Sequence, residues 1–115
     1  MNCEITVTPT FRRALKRLSK RYKSIGEDVR MMVDRLRENP YEGADLGGGI
    51  RKIRLAIRSK GKGKRGGARV ITYNVDVREN GIEIWLLTIY DKSDSETISD
   101  NELRTIIIRN GLVDR

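Results

Sequence analysis

The chain has 115 residues and a mass of 13.2 kDa, with 24 Lys and Arg against 16 Asp and Glu, a formal charge of +8. One cysteine, Cys3, and no histidine exclude an internal disulfide, a Cys/His zinc centre and any nucleophile or proton shuttle built on imidazole. The length and a hydrophobic share of 37% fit one domain over residues 1–115 with a modest core.

Met1 to Ile5 carry neither a basic nor an apolar leader segment, and the most apolar run, Ile82 to Ile89, falls short of a bilayer span. A cytoplasmic protein without a membrane partner is the expectation. Glu4 to Val7 reads as a short first strand. Thr8-Pro9 predicts an N-cap with proline at the first helical position, opening a helix whose apolar stripe is Phe11, Leu15, Leu18 and Tyr22. Ser24 and Glu27 are spaced as a capping box for a second helix with Val29, Met32, Val33 and Leu36 inward, ended by Asn39-Pro40. The short connection makes the two helices an antiparallel hairpin.

Gly47-Gly48-Gly49 lies in a loop, after which the period changes to two. Ile53, Leu55 and Ile57 take one strand face, and Lys52, Arg54 and Arg58 the other. Arg69 to Val75 and Ile82 to Tyr90 are the next strands, the last apolar on both faces and therefore central. Ser99 and Glu102 form another capping box, opening a final helix with Leu103, Ile106 and Ile107. The predicted class is α+β, with an N-terminal strand and helical hairpin packed on a small, mostly antiparallel sheet and a C-terminal helix.

The positive charge is segregated. Residues 46–75 hold nine basic side chains and no acidic one, while the rest of the chain carries 15 basic against 16 acidic residues. Such packing of like charge is unfavourable unless a polyanion neutralises it. Ser59 to Gly67 alternates cations with glycine, a composition suited to phosphate, although it lacks the spacing of a Walker loop. The first helix adds Lys16 and Lys20 among several cations, which suit a solvated face first and auxiliary phosphate contacts second. Tyr73 and Tyr90 are the only aromatic side chains suited to stacking on a base.

The block Arg51-Lys52-Ile53-Arg54-Leu55-Ala56, the run Lys60-Gly61-Lys62-Gly63-Lys64-Arg65-Gly66-Gly67-Ala68-Arg69 and the strand end Leu86-Leu87-Thr88-Ile89-Tyr90-Asp91-Lys92 resemble the RelE/ParE toxin superfamily, most closely its HigB-like branch. The resemblance implies the toxin of a bacterial type II toxin–antitoxin pair, with a cognate antitoxin as partner and operator DNA contacted only through the antitoxin complex. It further implies a metal-independent, cofactor-free endoribonuclease that cuts mRNA in the ribosomal A site by attack of a 2′-hydroxyl. By position, Lys52, Arg54, Arg69, Tyr90, Asp91 and Lys92 would form the catalytic set, with Arg51, Arg58, Lys60, Lys62, Lys64, Arg65, Tyr73, Lys16 and Lys20 on RNA or ribosome. The tyrosine that some members use as a base has no counterpart, since Ile98 lies near its place. Lys52, Tyr90 and Asp91 are the candidate proton acceptors, and Arg69→Ala is expected to abolish activity with the fold intact.

Each residue also has a plainer role open to it. Arg69 could pair with Asp76 or Glu83, Tyr90 could be half-buried core, Asp91 a turn residue and Lys92 a solvated lysine. Two other functions fit the same charge: a gyrase-inhibiting toxin on the same fold, and a non-enzymatic nucleic-acid-binding module.

Overall fold

The computed structural model describes residues 2–77, 81–95 and 97–112. The elements in order are β1 (Asn2–Val7), α1 (Pro9–Ser19), α2 (Ile25–Glu38), β2 (Ala44–Gly47), β3 (Ile50–Leu55), β4 (Ala68–Val77), β5 (Gly81–Asp91) and α3 (Asp100–Arg109). The five strands form one sheet in the order β1-β5-β4-β3-β2. Only the β1–β5 pair is parallel. The arrangement is the expected α+β class.

Thr8 caps α1, its Oγ accepting from the Phe11 amide at 3.1 Å and donating to the Leu86 carbonyl at 2.8 Å. One hydroxyl thus starts the helix and fastens it to β5. Phe11, Ala14 and Leu18 of α1, with Ile25, Met32 and Leu36 from the α2 side, bury against Ile53, Leu55, Val70, Ile84 and Leu86 of the sheet. α3 takes the opposite sheet face, where Leu103, Ile106 and Ile107 pack on Ile50, Ile71 and Leu87. None of the described helices is long and apolar enough to cross a membrane.

Four expectations need correction. The strand read through Ile57 and Arg58 ends at Leu55, and Arg58 turns to Asp28 of α2 instead of standing with Lys52 and Arg54. The first helix ends at Ser19, so Tyr22 lies past it. The Gly-rich loop contains a further strand, β2, which turns through Gly48 and Gly49, both at positive φ, to pair with β3. All four β2 residues are exposed, so no apolar alternation announces it. The Ser24 capping box does not form: Ser24 has helical dihedrals, and its Oγ lies 2.7 Å from Asp28 Oδ2 and 2.9 Å from Ser59 Oγ. At Ser99 the N-cap half of the second box forms, with the Glu102 amide donating to Ser99 Oγ at 3.1 Å, while the Glu102 carboxylate meets the Ser99 hydroxyl and not its amide.

A β-bulge decides the chemistry of the sheet. Ile71 pairs with Thr88 and Thr72 with Leu86, leaving Leu87 as the extra residue. Before it, Ile82, Ile84 and Leu86 face the helical hairpin; after it, Ile89 keeps that face while Leu87 and Tyr90 turn toward α3. An unbroken period of two would place Tyr90 with Leu86. The bulge instead sends Tyr90 to the α3 face and Asp91 to the hairpin face.

Gly67 fixes where the basic loop rejoins the sheet. A Cβ there would overlap the backbone carbonyl oxygen of Leu55, so close strand approach, rather than ligand contact, requires this glycine. Gly67→Ala is expected to destabilise the protein by about 2–3 kcal/mol, a loss measurable by urea unfolding; an unchanged midpoint would refute the packing role.

Candidate nucleic-acid interface

The cations of residues 46–75 divide into two groups. Four are engaged within the protein. Arg51 donates to the Gly43 carbonyl at 2.8 Å and lies over the Tyr41 ring. Arg58 donates through Nε to Asp28 Oδ1 at 2.7 Å, and its amide to Asp28 Oδ2 at 3.1 Å. Lys60 Nζ donates to Asp91 Oδ1 and to Ser93 Oγ, both at 2.7 Å. Arg69 donates to the carbonyls of Lys64 and Arg65 at 3.0 Å and of Ala68 at 3.1 Å. Among the described residues, Lys52, Arg54, Lys62, Lys64 and Arg65 pair with no carboxylate. These five, with Lys92, are the cations left for a ligand.

The loop of residues 56–67 is therefore stapled rather than loose. Its first limb is held by Arg58 and by the Ser59 amide, which donates to Ser24 Oγ at 2.8 Å. Its middle is held by Lys60, and its second limb by Arg69 from beneath. Arg69 is only 5% exposed and finds neither Asp76 nor Glu83. Burial first, then the neighbouring Arg54, push its guanidinium pKa down from the arginine range. A buried guanidinium answered only by carbonyls tolerates a nearby anion well. It is also structural: Arg69→Ala should cost about 2 kcal/mol, so thermal melting must accompany any activity assay of that variant. A wild-type melt would contradict this stapling role.

Cross-strand register lines up the next feature. Arg54 pairs with Arg69, and Arg69 with Tyr90, so the three side chains form a row on the α3 face, with Lys52 two positions from Arg54 on the same face. Among the described residues the buried Tyr90 hydroxyl has no hydrogen-bond partner. Burial and Glu102 raise its pKa while Arg69 opposes them, and the net direction is upward. Tyr90 is thus a neutral phenol, a donor rather than a base. Lys92 lies just past the end of β5, where its amide donates to the Gly67 carbonyl at 3.0 Å.

Asp91 stands on the other side of the sheet. Its side chain is fully buried and accepts from Tyr22 Oη at 2.5 Å, Lys60 Nζ at 2.7 Å, the Ser93 amide at 2.9 Å and Arg21 Nη2 at 3.0 Å. Burial would raise its pKa, but the hydrogen bonds from Lys60, Tyr22 and Ser93 and the Lys60 charge outweigh it and hold the carboxyl at about 2. The structure does not bring Asp91 to Lys52 and Arg54. Nor does it bring Lys16 and Lys20, which are exposed on α1 beyond the opposite face. Tyr73 packs into the cluster under α3 and against Gly49.

Two cationic clefts flank the stapled loop. One, of about 340 Å³, is lined by Lys52, Arg54 and Lys64 with Glu42 at its rim. The other, of about 290 Å³, is lined by Lys60, Lys62, Arg65, Gly66, Lys92 and Ser93. The adjacent residues Lys64 and Arg65 serve different clefts. Sequence reasoning missed the staples, because the carboxylates that engage Arg58 and Lys60 lie 30 and 31 residues away.

A sheet with a helical hairpin on one face, a C-terminal helix on the other and a cation row at one end defines a small basic α+β domain. Residues 9–110 match the family model described as the RelE toxin of the RelE/RelB toxin–antitoxin system. The chain belongs to this family: it is a toxin of a toxin–antitoxin system, a class that implies a cognate antitoxin as partner.

Proposed function

We propose that this toxin is a ribosome-dependent endoribonuclease that cuts mRNA in the A site and so stops translation. The observation that carries the reading is the row Arg54–Arg69–Tyr90 beside Lys52, with Lys52 and Arg54 free of carboxylate partners among the described residues. In the reaction a 2′-oxygen bonds to the adjacent phosphorus and the bond to the 5′-oxygen breaks, leaving a 2′,3′-cyclic phosphate and a 5′-hydroxyl. Charge accumulates on the phosphorane, and Arg54 with Lys64 from the same cleft stabilises it.

Three candidate acceptors for the 2′-hydroxyl proton differ in placement. Asp91 is a weakly basic carboxylate with its acceptors engaged on the wrong face, and Tyr90 is held as a phenol. Lys52, on the face of the row and without a carboxylate partner among the described residues, takes the proton. Tyr90 donates a hydrogen bond to a phosphate oxygen once the strand enters. That contact requires the start of α3 to shift, and α3 holds no fully buried residue. Water returns a proton to the departing 5′-oxygen. The ribosome supplies the in-line geometry that a flexible message lacks. Arg69 and Asp91 set the loop from the two sheet faces.

A message carrying one 2′-deoxy nucleotide at a mapped cleavage site tests the mechanism. Cleavage should vanish there and persist elsewhere. Cutting at the deoxy position would refute attack by the 2′-hydroxyl.

A further inference from the structure

We propose that the cleft between the loop and the end of β5 is a phosphate subsite distinct from the cleavage row, holding a backbone phosphodiester of the same RNA strand beside the one that is cut. The identity of the strand rests on the endoribonuclease reading; the site itself does not. Lys62, Arg65 and Lys92 line this cleft, and none of them pairs with a carboxylate among the described residues. Lys60 completes the wall, held in place by Asp91 beneath it, whose side chain is fully buried.

The cleft is built before any ligand arrives. Asp91 and Ser93 fix Lys60, Arg69 fixes the carbonyls of residues 64 and 65, and the Lys92 amide donates to Gly67 at 3.0 Å. Gly61 and Gly63 sit at φ +75° and +63°, turning the chain around the cleft. Among the described residues the amides of residues 62–65 donate to no protein acceptor, so they add to the side-chain charge as a backbone anion site does. The lining offers no aromatic ring and no carboxylate, features that suit a phosphate and give nothing to read a base. Because Lys64 faces the neighbouring cleft with Lys52 and Arg54, a strand crossing the loop meets cations on both sides, and the second contact is independent of sequence.

The test uses the whole protein without ribosomes. Titration with inorganic phosphate, followed by amide resonances, should move residues 60–66 and 92–93 saturably. A 2′-O-methyl RNA trinucleotide should bind more tightly than phosphate at the same amides. The double variant Lys62→Ala with Arg65→Ala should weaken the trinucleotide about tenfold or more and lower the slope of log affinity against log salt by about 0.7, the value for one phosphate contact on a single strand. Arg12→Ala with Arg13→Ala removes equal charge from exposed positions of α1 and should leave binding nearly unchanged. Equal losses in both double variants, or shifts scattered over all lysines without saturation, would overturn the subsite. Phosphate binding in the cleft by a protein that cuts no message would keep the site and overturn the RNA strand as its occupant. Message cleavage with the cleft amides unmoved would overturn the site alone.

Discussion

Replacing Asp91 by alanine is expected to lower the stability of the fold by about 3 kcal/mol, the order seen when one partner of a buried ion pair is removed. The carboxylate holds Lys60, Arg21, Tyr22 and the Ser93 amide together, and Lys60 is only 11% exposed in its side chain. Without Asp91 that ammonium must leave for solvent, taking the middle of the basic loop with it. Urea unfolding measures the loss, and a variant as stable as the parent would remove Asp91 from its structural role.

The same residue predicts an acid limb. Asp91 titrates at 3.8 when unfolded and at about 2 in the folded protein. A carboxyl with a depressed folded pKa contributes stability that is fully present above the unfolded value and is lost as pH falls from there through the folded one. The contribution, about 2 kcal/mol, should disappear between about pH 4 and pH 2. Asp91→Asn should flatten the pH dependence of unfolding in that window, and an unchanged slope would contradict the assignment.

Lys52→Arg is expected to reduce cleavage by about 10²–10⁴-fold, the range associated with loss of a general base. Arginine keeps the positive charge and reaches a similar depth, but its guanidinium does not give up a proton near neutrality. Stability should change by less than about 0.5 kcal/mol, since Lys52 is only partly buried and makes no ion pair among the described residues. Full activity in Lys52→Arg would show that only charge is needed there and would remove Lys52 as the proton acceptor.

Much of the fold was legible because the apolar periods are clean. Phe11 and Leu18 with Met32 and Leu36, and Ile53 with Leu55, all reach the core they were expected to build. β2 was hidden because Ala44-Asp45-Leu46-Gly47 has little strand propensity and no buried face. The bulge at Leu87 was hidden because the residues around it are apolar on both sides, so alternation cannot report a slipped phase. That slip is why Tyr90 and Asp91, adjacent in sequence, occupy opposite faces.

The site was legible in outline and not in its division of labour. Charge segregation pointed to the segment that lines most of both clefts, and alternation placed Lys52 and Arg54 together. What composition does not disclose is which cations are internal staples. Arg58 and Lys60 look like Lys62 and Lys64 in a sequence, and only the folded distances to Asp28 and Asp91 separate them. The resemblance put Arg69 in the catalytic set; that its guanidinium meets the carbonyls of residues four and five positions earlier is something no period reveals.

The central claim is that the cation row cuts mRNA on the ribosome. Primer extension on a defined message, translated in a reconstituted system with the purified toxin, tests it beside Lys52→Arg and a ribosome-free control. Cuts in phase with codons, absent without ribosomes and nearly absent with Lys52→Arg, are the predicted result. An intact message and undiminished translation at toxin concentrations that saturate the ribosomes would contradict it.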